Sequence, residues 1–427
     1  MPSQTRVSRR RLLKGAAAAA LIAPYAITSR ALGAPDKAAA SNRLTLAHIG
    51  IGNQGRGHFG AMLGHPEGQI LAVCDVRKEV RDDRSKMVDD RYAKDSPGGS
   101  YRGCAAYNDY RDVIDRDDID ACVIATPDHW HAIISCAAAR AGKDIYQEKP
   151  LTLDIREAWL MVDYMRRYGI VFQTGSQQRS DNRFRFACEL VRNKVIGDLK
   201  TVHVGVGMPS EEKYLPEEPI PPGLDWETWQ GPAAWKPYNS ERASGNYGGG
   251  WRRIRDYSGG MMTDWGAHHF DIAQWGMGMD GHGPVEVIAP DNEYKQIRYR
   301  YESGVIMYHG GANGVLFTGT EGKVEVNRGY IRTWPESLMK VELGPNDIHL
   351  YKSANHRQDW LDCIKTRQRP ICDILVGTST ITVCHLGNIC YWLNRNIRWD
   401  PVRKEILGDP EASRWLDRPK RAPYRIA

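Results

Sequence analysis

The sequence predicts an α/β chain in two parts. Residues 41–175 read as a doubly wound parallel sheet, and residues 176–427 as an α+β domain with a large, mostly antiparallel open sheet. Three observations carry this. From Leu44 to Thr174 short apolar runs alternate with helical stretches, as a parallel sheet with crossover helices requires. A glycine-rich turn follows the first of these runs. After Ser176 the texture changes to alternating segments rich in Val, Ile and Tyr, with turn residues between them. A chain of 427 residues is long enough for two domains and a large core.

Ahead of both parts lies Ser8-Arg9-Arg10-Arg11-Leu12-Leu13-Lys14, then an apolar stretch from Gly15 to Ile27. Residues 1–40 read as a twin-arginine export signal, with an ordinary Sec signal or a basic tail as the alternatives. The run is shorter than the roughly 20 apolar residues a membrane span needs, and no later run is expected to span. Cleavage fits after Gly33 or Ala40. The twin-arginine route carries folded proteins, so a periplasmic or secreted enzyme with a captive cofactor is expected. Residues 1–34 hold Arg6, Arg9, Arg10, Arg11, Lys14 and Arg30, and no acid. Without them 52 basic residues balance 52 acidic ones, and the formal charge of +6 becomes zero. The basic excess therefore indicates no nucleic-acid partner. The nine cysteines are odd in number, lack any Cys-x-x-Cys, and include Cys74, Cys122, Cys136, Cys188 and Cys390 in apolar stretches. Buried thiols are expected, not disulfides or a zinc site.

In the first part, strands are expected at Leu44–Ile49, Ile70–Cys74, Ala121–Ala125, Asp144–Tyr146 and Val171–Gln173. Helices are expected near Gln54–Leu63, Lys78–Tyr92, His129–Ala141 and Asp154–Tyr168. Gly50-Ile51-Gly52-Asn53-Gln54-Gly55 sits between the first strand and the first helix, the context that gives a Gly-x-Gly-x-x-Gly pattern meaning in a Rossmann domain. The first glycine permits the tight turn, the second lets the backbone approach a pyrophosphate, and the third allows helix and strand to pack closely. Asp75, ending the second strand, can accept from the ribose hydroxyls and repel a 2′-phosphate, which favours NAD. Arg77 keeps NADP open.

In the second part, Thr201–Gly207 and the segments between Val285 and Val326 read as strands, and one helix is expected over Met261–Trp275. Two late helices, Arg357–Lys365 and Thr378–Leu393, close the domain. Residues 211–258 form a Pro-, Gly- and Trp-rich loop holding Trp226, Trp229, Trp235 and Trp251. So many tryptophans argue against disorder. They either stack on a sugar ring or pin the loop to the body.

Three further stretches carry chemistry: Thr126-Pro127-Asp128-His129-Trp130-His131, Glu148-Lys149-Pro150, and Asp264-Trp265-Gly266-Ala267-His268-His269-Phe270-Asp271. On one helix, Asp264, His268 and Asp271 share a face, and a carboxylate one turn away orients a histidine and makes it more basic. His269 points about 100° away. A metal bound by Asp264, His268 and Asp271, with His129 and His131, is the alternative reading. A lysine at the C-terminal end of a parallel strand lies where such sheets bind ligands. Glu148 and Pro150 shape the turn, and Pro150 is a candidate for a cis bond.

With the glycine turn, these stretches resemble the Gfo/Idh/MocA oxidoreductases over essentially the whole mature chain, including the late Trp399-Asp400-Pro401. The resemblance implies NAD, with NADP possible, held by Gly50, Gly52, Asn53, Gln54, Gly55, Asp75, Thr126, Pro127, His131, Glu148, Lys149 and Gln177. It implies substrate contacts from Lys149, Arg179, Trp251, Tyr257, Asp264 and His268. Lys149 would lie by the nicotinamide, with His268 exchanging the hydroxyl proton and Asp264 orienting it; no metal is implied. Many relatives carry Gly-Phe-Asn-Arg-Arg where this chain has Gly175-Ser176-Gln177-Gln178-Arg179, so substrate specificity does not carry over. A homo-oligomer is expected by the same resemblance. Three functions follow: oxidation of a secondary hydroxyl on a sugar, glycoside or polyol; a glycosidase or lyase using transient oxidation, with Tyr247, Tyr257 or His268 as acid/base; or a non-enzymatic glycan-binding protein that keeps NAD as a prop.

Overall fold

The computed structural model describes residues 39, 42–96 and 99–426, so the export signal expected from Ser8 to Ile27 lies outside the described residues. The chain divides into two compact units, Met1–Arg43 and Leu44–Ala427, and the second holds both sheets.

The first sheet has six parallel strands: β1 (Leu44–Ile49), β2 (Gly68–Cys74), β3 (Ala105–Tyr107), β4 (Ala121–Ile124), β5 (Asp144–Gln147) and β6 (Phe172–Thr174). Their order is β3-β2-β1-β4-β5-β6, so the direction of winding reverses between β1 and β4. Open sheets of this kind bind ligands at that reversal. Helices α1 (Asn53–Leu63), α2 (Lys78–Ala93), α3 (Tyr110–Ile114), α4 (Asp128–Arg140) and α5 (Ile155–Arg167) make the crossovers. β4 and β5 are buried at every residue, which explains their unbroken apolar texture. The sequence pattern misses β3 and α3. Three residues on an edge strand, none of them buried, offer no period to detect.

After α6 (Asn182–Arg192) comes β7 (Leu199–Gly205), an interior strand of a nine-stranded sheet. The long connection that follows folds into short helices α7 (Trp226–Gln230) and α8 (Ser240–Ala243). The helix expected over Met261–Trp275 is two, α9 (Met261–Asp264) and α10 (Gly266–Met277), separated at Trp265. Gly266 follows the break, where a Cβ would come 2.9 Å from Cys384 Sγ. Strands β8 (Glu286–Ile288), β9 (Arg298–Arg300), β10 (Ile306–His309), β11 (Gly314–Gly319), β12 (Lys323–Asn327) and β13 (Tyr330–Trp334) continue the sheet. Helices α11 (His356–Thr366) and α12 (Ile374–Leu393) come next, then β14 (Ile397–Asp400) and β15 (Glu405–Ile406). The order is β13-β12-β11-β7-β10-β9-β8-β14-β15, antiparallel throughout except for the β7–β10 pair.

α12 corrects one expectation. It is long and apolar enough to cross a membrane, but 83% of its most apolar window is buried inside the protein. A helix apolar on all sides belongs in a core as readily as in lipid. All nine cysteines are free and buried.

Burial holds the imidazoles of His129, His269, His309, His356 and His385 down at about 4, and that of His48 at about 3. Unfolded histidines protonate near pH 6.5. A histidine whose folded pKa is lowered stabilises the fold above the unfolded value, and that contribution is lost as pH falls from about 6.5 toward 4. Each such group costs up to about 1.4 kcal/mol per pH unit in this window. The urea midpoint is therefore expected to drop steadily between about pH 6.5 and 4.5. A midpoint indifferent to acid over that range would contradict a core of neutral histidines.

Candidate active site

At the reversal between β1 and β4 the structure opens a cavity of about 340 Å³. Gly50, Gly52, Asn53, Gln54, Asp75, Arg77, Thr126, Pro127, Glu148 and Lys149 line it from the parallel sheet. Thr228, Trp229, Gly245, Tyr247, Trp251 and Arg252 line it from the long connection. Gly50 adopts φ +79°, and a Cβ there would meet Ala125 C and Thr126 N at 2.8 Å. Gly52 faces open space, with nothing within 4 Å of where a Cβ would stand. Gly55 does not line the cavity; a Cβ would lie 2.1 Å from Gly50 O, so its role is close packing of α1 on the turn.

This cradle fits a dinucleotide. No side chain caps the N-terminus of α1, so its first N–H groups are free for phosphate oxygens. Asp75 closes β2 with Oδ2 accepting from Ile51 N and Oδ1 from Arg77 N, both 2.9 Å. Thr126 Oγ1 is buried in the lining without a hydrogen-bond partner.

Glu148 and Lys149 are adjacent but serve different elements. Glu148, 3% exposed, accepts from Gln54 Nε2 at 3.2 Å and Gln177 Nε2 at 2.8 Å, and pairs with His58 Nε2 at 2.6 Å. Arg357 Nε donates to His58 Nδ1 at 3.0 Å, which leaves the ring proton on Nε2 for Glu148. Burial alone would raise the Glu148 carboxyl, but the His58 bond and the Lys149 ammonium outweigh it and hold it at about 2. The Lys149–Pro150 peptide is cis. Lys149 Nζ turns to the second domain and donates to Asp264 Oδ1 at 2.9 Å and Asp264 O at 3.1 Å. Arg252 Nε donates to the same Oδ1 at 3.3 Å. Burial would raise the Asp264 carboxyl, yet these two cations hold it below its usual value.

His268 is 4% exposed, and its Nδ1 has no partner. Burial, then the charges of Lys149 and Arg328, push its imidazole well below the usual range, so it is neutral. This corrects the expectation that Asp264 orients His268 and raises its basicity. The helix break at Trp265 and the cations opposite turn the Asp264 carboxylate to Lys149 and Arg252 instead.

Other expected site residues lie elsewhere. Arg179 is buried between Asp271 and Asp280, bonding both carboxylates at 2.6–3.0 Å, and is not a substrate contact. Tyr257 is fully buried in the cluster of Trp226, Trp229, Tyr238, Trp251 and Ile254, so it reaches neither cavity nor substrate. The same cluster decides the tryptophan question for Trp226 and Trp229, which stack on each other at 4.7 Å and pin the connection. Trp251 lines the cavity, but the Arg252 guanidinium covers its ring at 4.3 Å. His131 sits between Pro150 O at 2.7 Å and Thr126 O at 2.8 Å behind the lining, with its one ring proton for either carbonyl. Gln177 stands outside the lining too, between Tyr146 OH and Glu148. Asp271 is committed to Arg179, while His129 bonds Trp229 O, so the alternative metal set is not brought together. Among the described residues no three His, Cys, Asp or Glu side chains are placed to hold a metal ion.

The sequence reading missed His58, Arg252 and Arg328. His58 was findable, one helical turn from Gln54 on the same face of α1. Arg252 and Arg328 lie in a glycine-rich loop and a turn, where no period exists.

Comparison with known proteins agrees with this geometry. Residues 44–176 match the model of the GFO_IDH_MocA oxidoreductase family, NAD-binding Rossmann fold. Residues 202–426 match its C-terminal alpha/beta domain. The chain is 35% identical over 171 residues to a glycosyl hydrolase family 109 protein of Shewanella sp. strain ANA-3, covering 36% of each chain. It is 24% identical over 231 residues to the myo-inositol 2-dehydrogenase of Thermotoga maritima, covering 54% of each. The chain thus spans about a third to a half of the length of these relatives. In fold it is similar to the WlbA dehydrogenase of Bordetella pertussis, solved with NADH and UDP-GlcNAcA. The TM-score is 0.58 at 15% identity, over 84% of this chain and 99% of that one.

Arg179 yields a test that separates packing from substrate binding. Replacing it by alanine strands the fully buried Asp271 carboxylate, so Arg179→Ala is expected to cost about 3–5 kcal/mol of stability. The loss is read from the urea midpoint. An unchanged midpoint with a raised KM would return the residue to the substrate site.

Proposed function

The chain belongs to the Gfo/Idh/MocA oxidoreductase family, and from that premise we propose that it oxidises a secondary hydroxyl of a sugar, glycoside or polyol with a tightly held NAD. One observation carries the reading: an ammonium, Lys149 Nζ, is fixed by Asp264 on the wall of the dinucleotide cleft, and a neutral imidazole with a free Nδ1 lies within its field.

When bound, the nicotinamide supplies a hydride acceptor for the carbinol carbon. His268 Nδ1 accepts the hydroxyl proton, since the imidazole is neutral and carries no competing hydrogen bond. Lys149 stabilises the negative charge that develops on the alcohol oxygen. Asp264 acts through Lys149, holding the ammonium in place from two oxygens. Asp75 reads the ribose hydroxyls and disfavours a 2′-phosphate, which supports NAD over NADP.

The long connection supports retention of the cofactor. Asn53 Nδ2 donates to Gly245 O at 2.6 Å, and Tyr247 OH donates to Gln54 Oε1 at 3.1 Å. These bonds lace the connection onto the glycine turn, over the cleft. Such a strap also suits the second reading, a glycosidase or lyase whose transient oxidation returns the hydride, since that cycle needs no cofactor exchange. Tyr247, at the cleft and 65% exposed, is then the available acid/base beside His268. A captive cofactor fits export in the folded state, with residues 1–40 as the twin-arginine signal and the mature chain outside the cytoplasm.

The test starts from the mature chain purified from the periplasmic fraction. Denaturation is expected to release close to one NAD per chain, and a panel of sugars, polyols and glycosides should raise absorbance at 340 nm in the native protein. Aglycone release without net reduction selects the second reading. Lys149→Met is expected to slow the reaction by roughly 10²–10³-fold with dinucleotide still bound. A chain that is empty and takes up neither NAD nor NADP defeats the proposal.

A further inference from the structure

Arg328 stands beside His268, outside the residues that line the cavity, and without a counter-charge. It occupies the two-residue Arg328-Gly329 turn between β12 and β13, where Asn327 pairs with Tyr330 and Gly329 takes φ +91°. The turn is anchored: Asn327 Nδ2 donates to Asn313 O at 2.8 Å, and Asn313 Oδ1 meets His269 Nε2 at 3.0 Å. The guanidinium lies over the Trp265 ring at 4.9 Å. Its Nε reaches the Gln178 side-chain oxygen at 3.2 Å, with the Gln178 amide nitrogen donating to His268 O at 3.0 Å. Stacking and one Nε bond thus fix the plane of the group beside His268.

Neither terminal nitrogen of Arg328 donates to another described residue, and no carboxylate among the described residues forms an ion pair with it. The two acids whose fields reach it are already engaged, Glu148 with His58 and Asp264 with Lys149 and Arg252. Three cations, Lys149, Arg252 and Arg328, stand near the carboxylates of Asp264 and Glu148, neither of which pairs with Arg328. A planar fork held at its base, with both terminal groups free, matches an anionic oxygen pair better than a lone hydroxyl.

We propose that the site takes an anionic sugar, whose carboxylate or phosphate is bound by Arg328 while the neighbouring hydroxyl faces His268 and Lys149. This deepens the oxidoreductase reading and rests on it for the position of the reacting hydroxyl. Gln178 and Trp265 are positioning residues for the fork.

The test is direct binding, which needs no turnover. The NAD-loaded full chain is titrated calorimetrically with matched sugars: D-glucose, D-glucuronate and D-glucose 6-phosphate, then D-galactose and D-galacturonate. In at least one set the acidic sugar is expected to bind tenfold or more tightly than its neutral partner. Uronate against phosphate identifies which anion is read. Arg328→Gln should remove that advantage and leave neutral-sugar binding within about twofold, and Arg328→Lys should restore only part of it. Thermal melts of both variants should match the parent, since the side chain is exposed and buries no partner charge. Equal or weaker binding of every acidic sugar, or an advantage that survives Arg328→Gln, overturns the inference. Cofactor reduction by neutral sugars but by no acidic sugar also overturns it and leaves the oxidoreductase reading standing. An empty dinucleotide cleft defeats that reading instead.

Discussion

Two adjacent residues with opposite charges hold the molecule's two sheets in register around the cleft. Glu148 and Lys149 leave the end of β5 in different directions. The carboxylate gathers α1, through Gln54 and His58, and the segment after β6, through Gln177. The ammonium crosses to Asp264 at the end of α9, and Asp264 passes the link through Arg252 to the strap at Gly245 and Asn246. Glu148 and Asp264 are buried and Lys149 is partly so, and a buried charge is tolerated only when every partner is in place. The arrangement is thereby over-determined: the glycine turn, the lysine and the second domain cannot shift independently without stranding an ion.

The same charges set the chemistry. An imidazole facing Lys149 and Arg328 gains nothing from protonation while the site is empty, which is why His268 stays neutral. Those cations favour a negative oxygen at the same place. Deprotonation of an alcohol there puts an anion beside Lys149 in the step that protonates His268, so the two changes offset each other's electrostatic cost. A carboxylate hydrogen-bonded to His268 would raise its basicity but would also repel the developing alkoxide. Placing Asp264 behind Lys149 avoids that conflict.

What the sequence reveals depends on whether a residue's role is imposed by backbone geometry or by a partner. Gly50 and Gly55 were legible because no Cβ fits where Thr126 N and Gly50 O lie, a constraint written in residue type. The buried strands were legible from their apolar runs, whereas β3 is too short to carry a pattern. Asp264 and His268 were legible as a pair but not as to whom each serves, because the break at Trp265 alters which neighbours the carboxylate meets. Arg179 was misread for the same reason: an arginine in a cofactor-side motif looks available until Asp271 and Asp280, about a hundred positions away, are seen to enclose it. Arg328 left no local trace, since its meaning lies in the absence of such an enclosure.

The tryptophans show how a loop can be made ready for binding by packing against itself. A connection of nearly fifty residues without long helices or strands would ordinarily be too mobile to close a cleft. Stacked Trp226 and Trp229, with Tyr238, Trp251, Ile254 and Tyr257, give it a small core of its own. That core stiffens the segment, so the carbonyl of Gly245 and the hydroxyl of Tyr247 stand ready above Asn53 and Gln54 without further ordering. Release of whatever lies between glycine turn and strap must then break several hydrogen bonds together with the packing that aligns them. Slow dissociation of a bound dinucleotide is expected from the aromatic core as much as from any contact to the cofactor, with Trp226 and Trp229 stacked on one another.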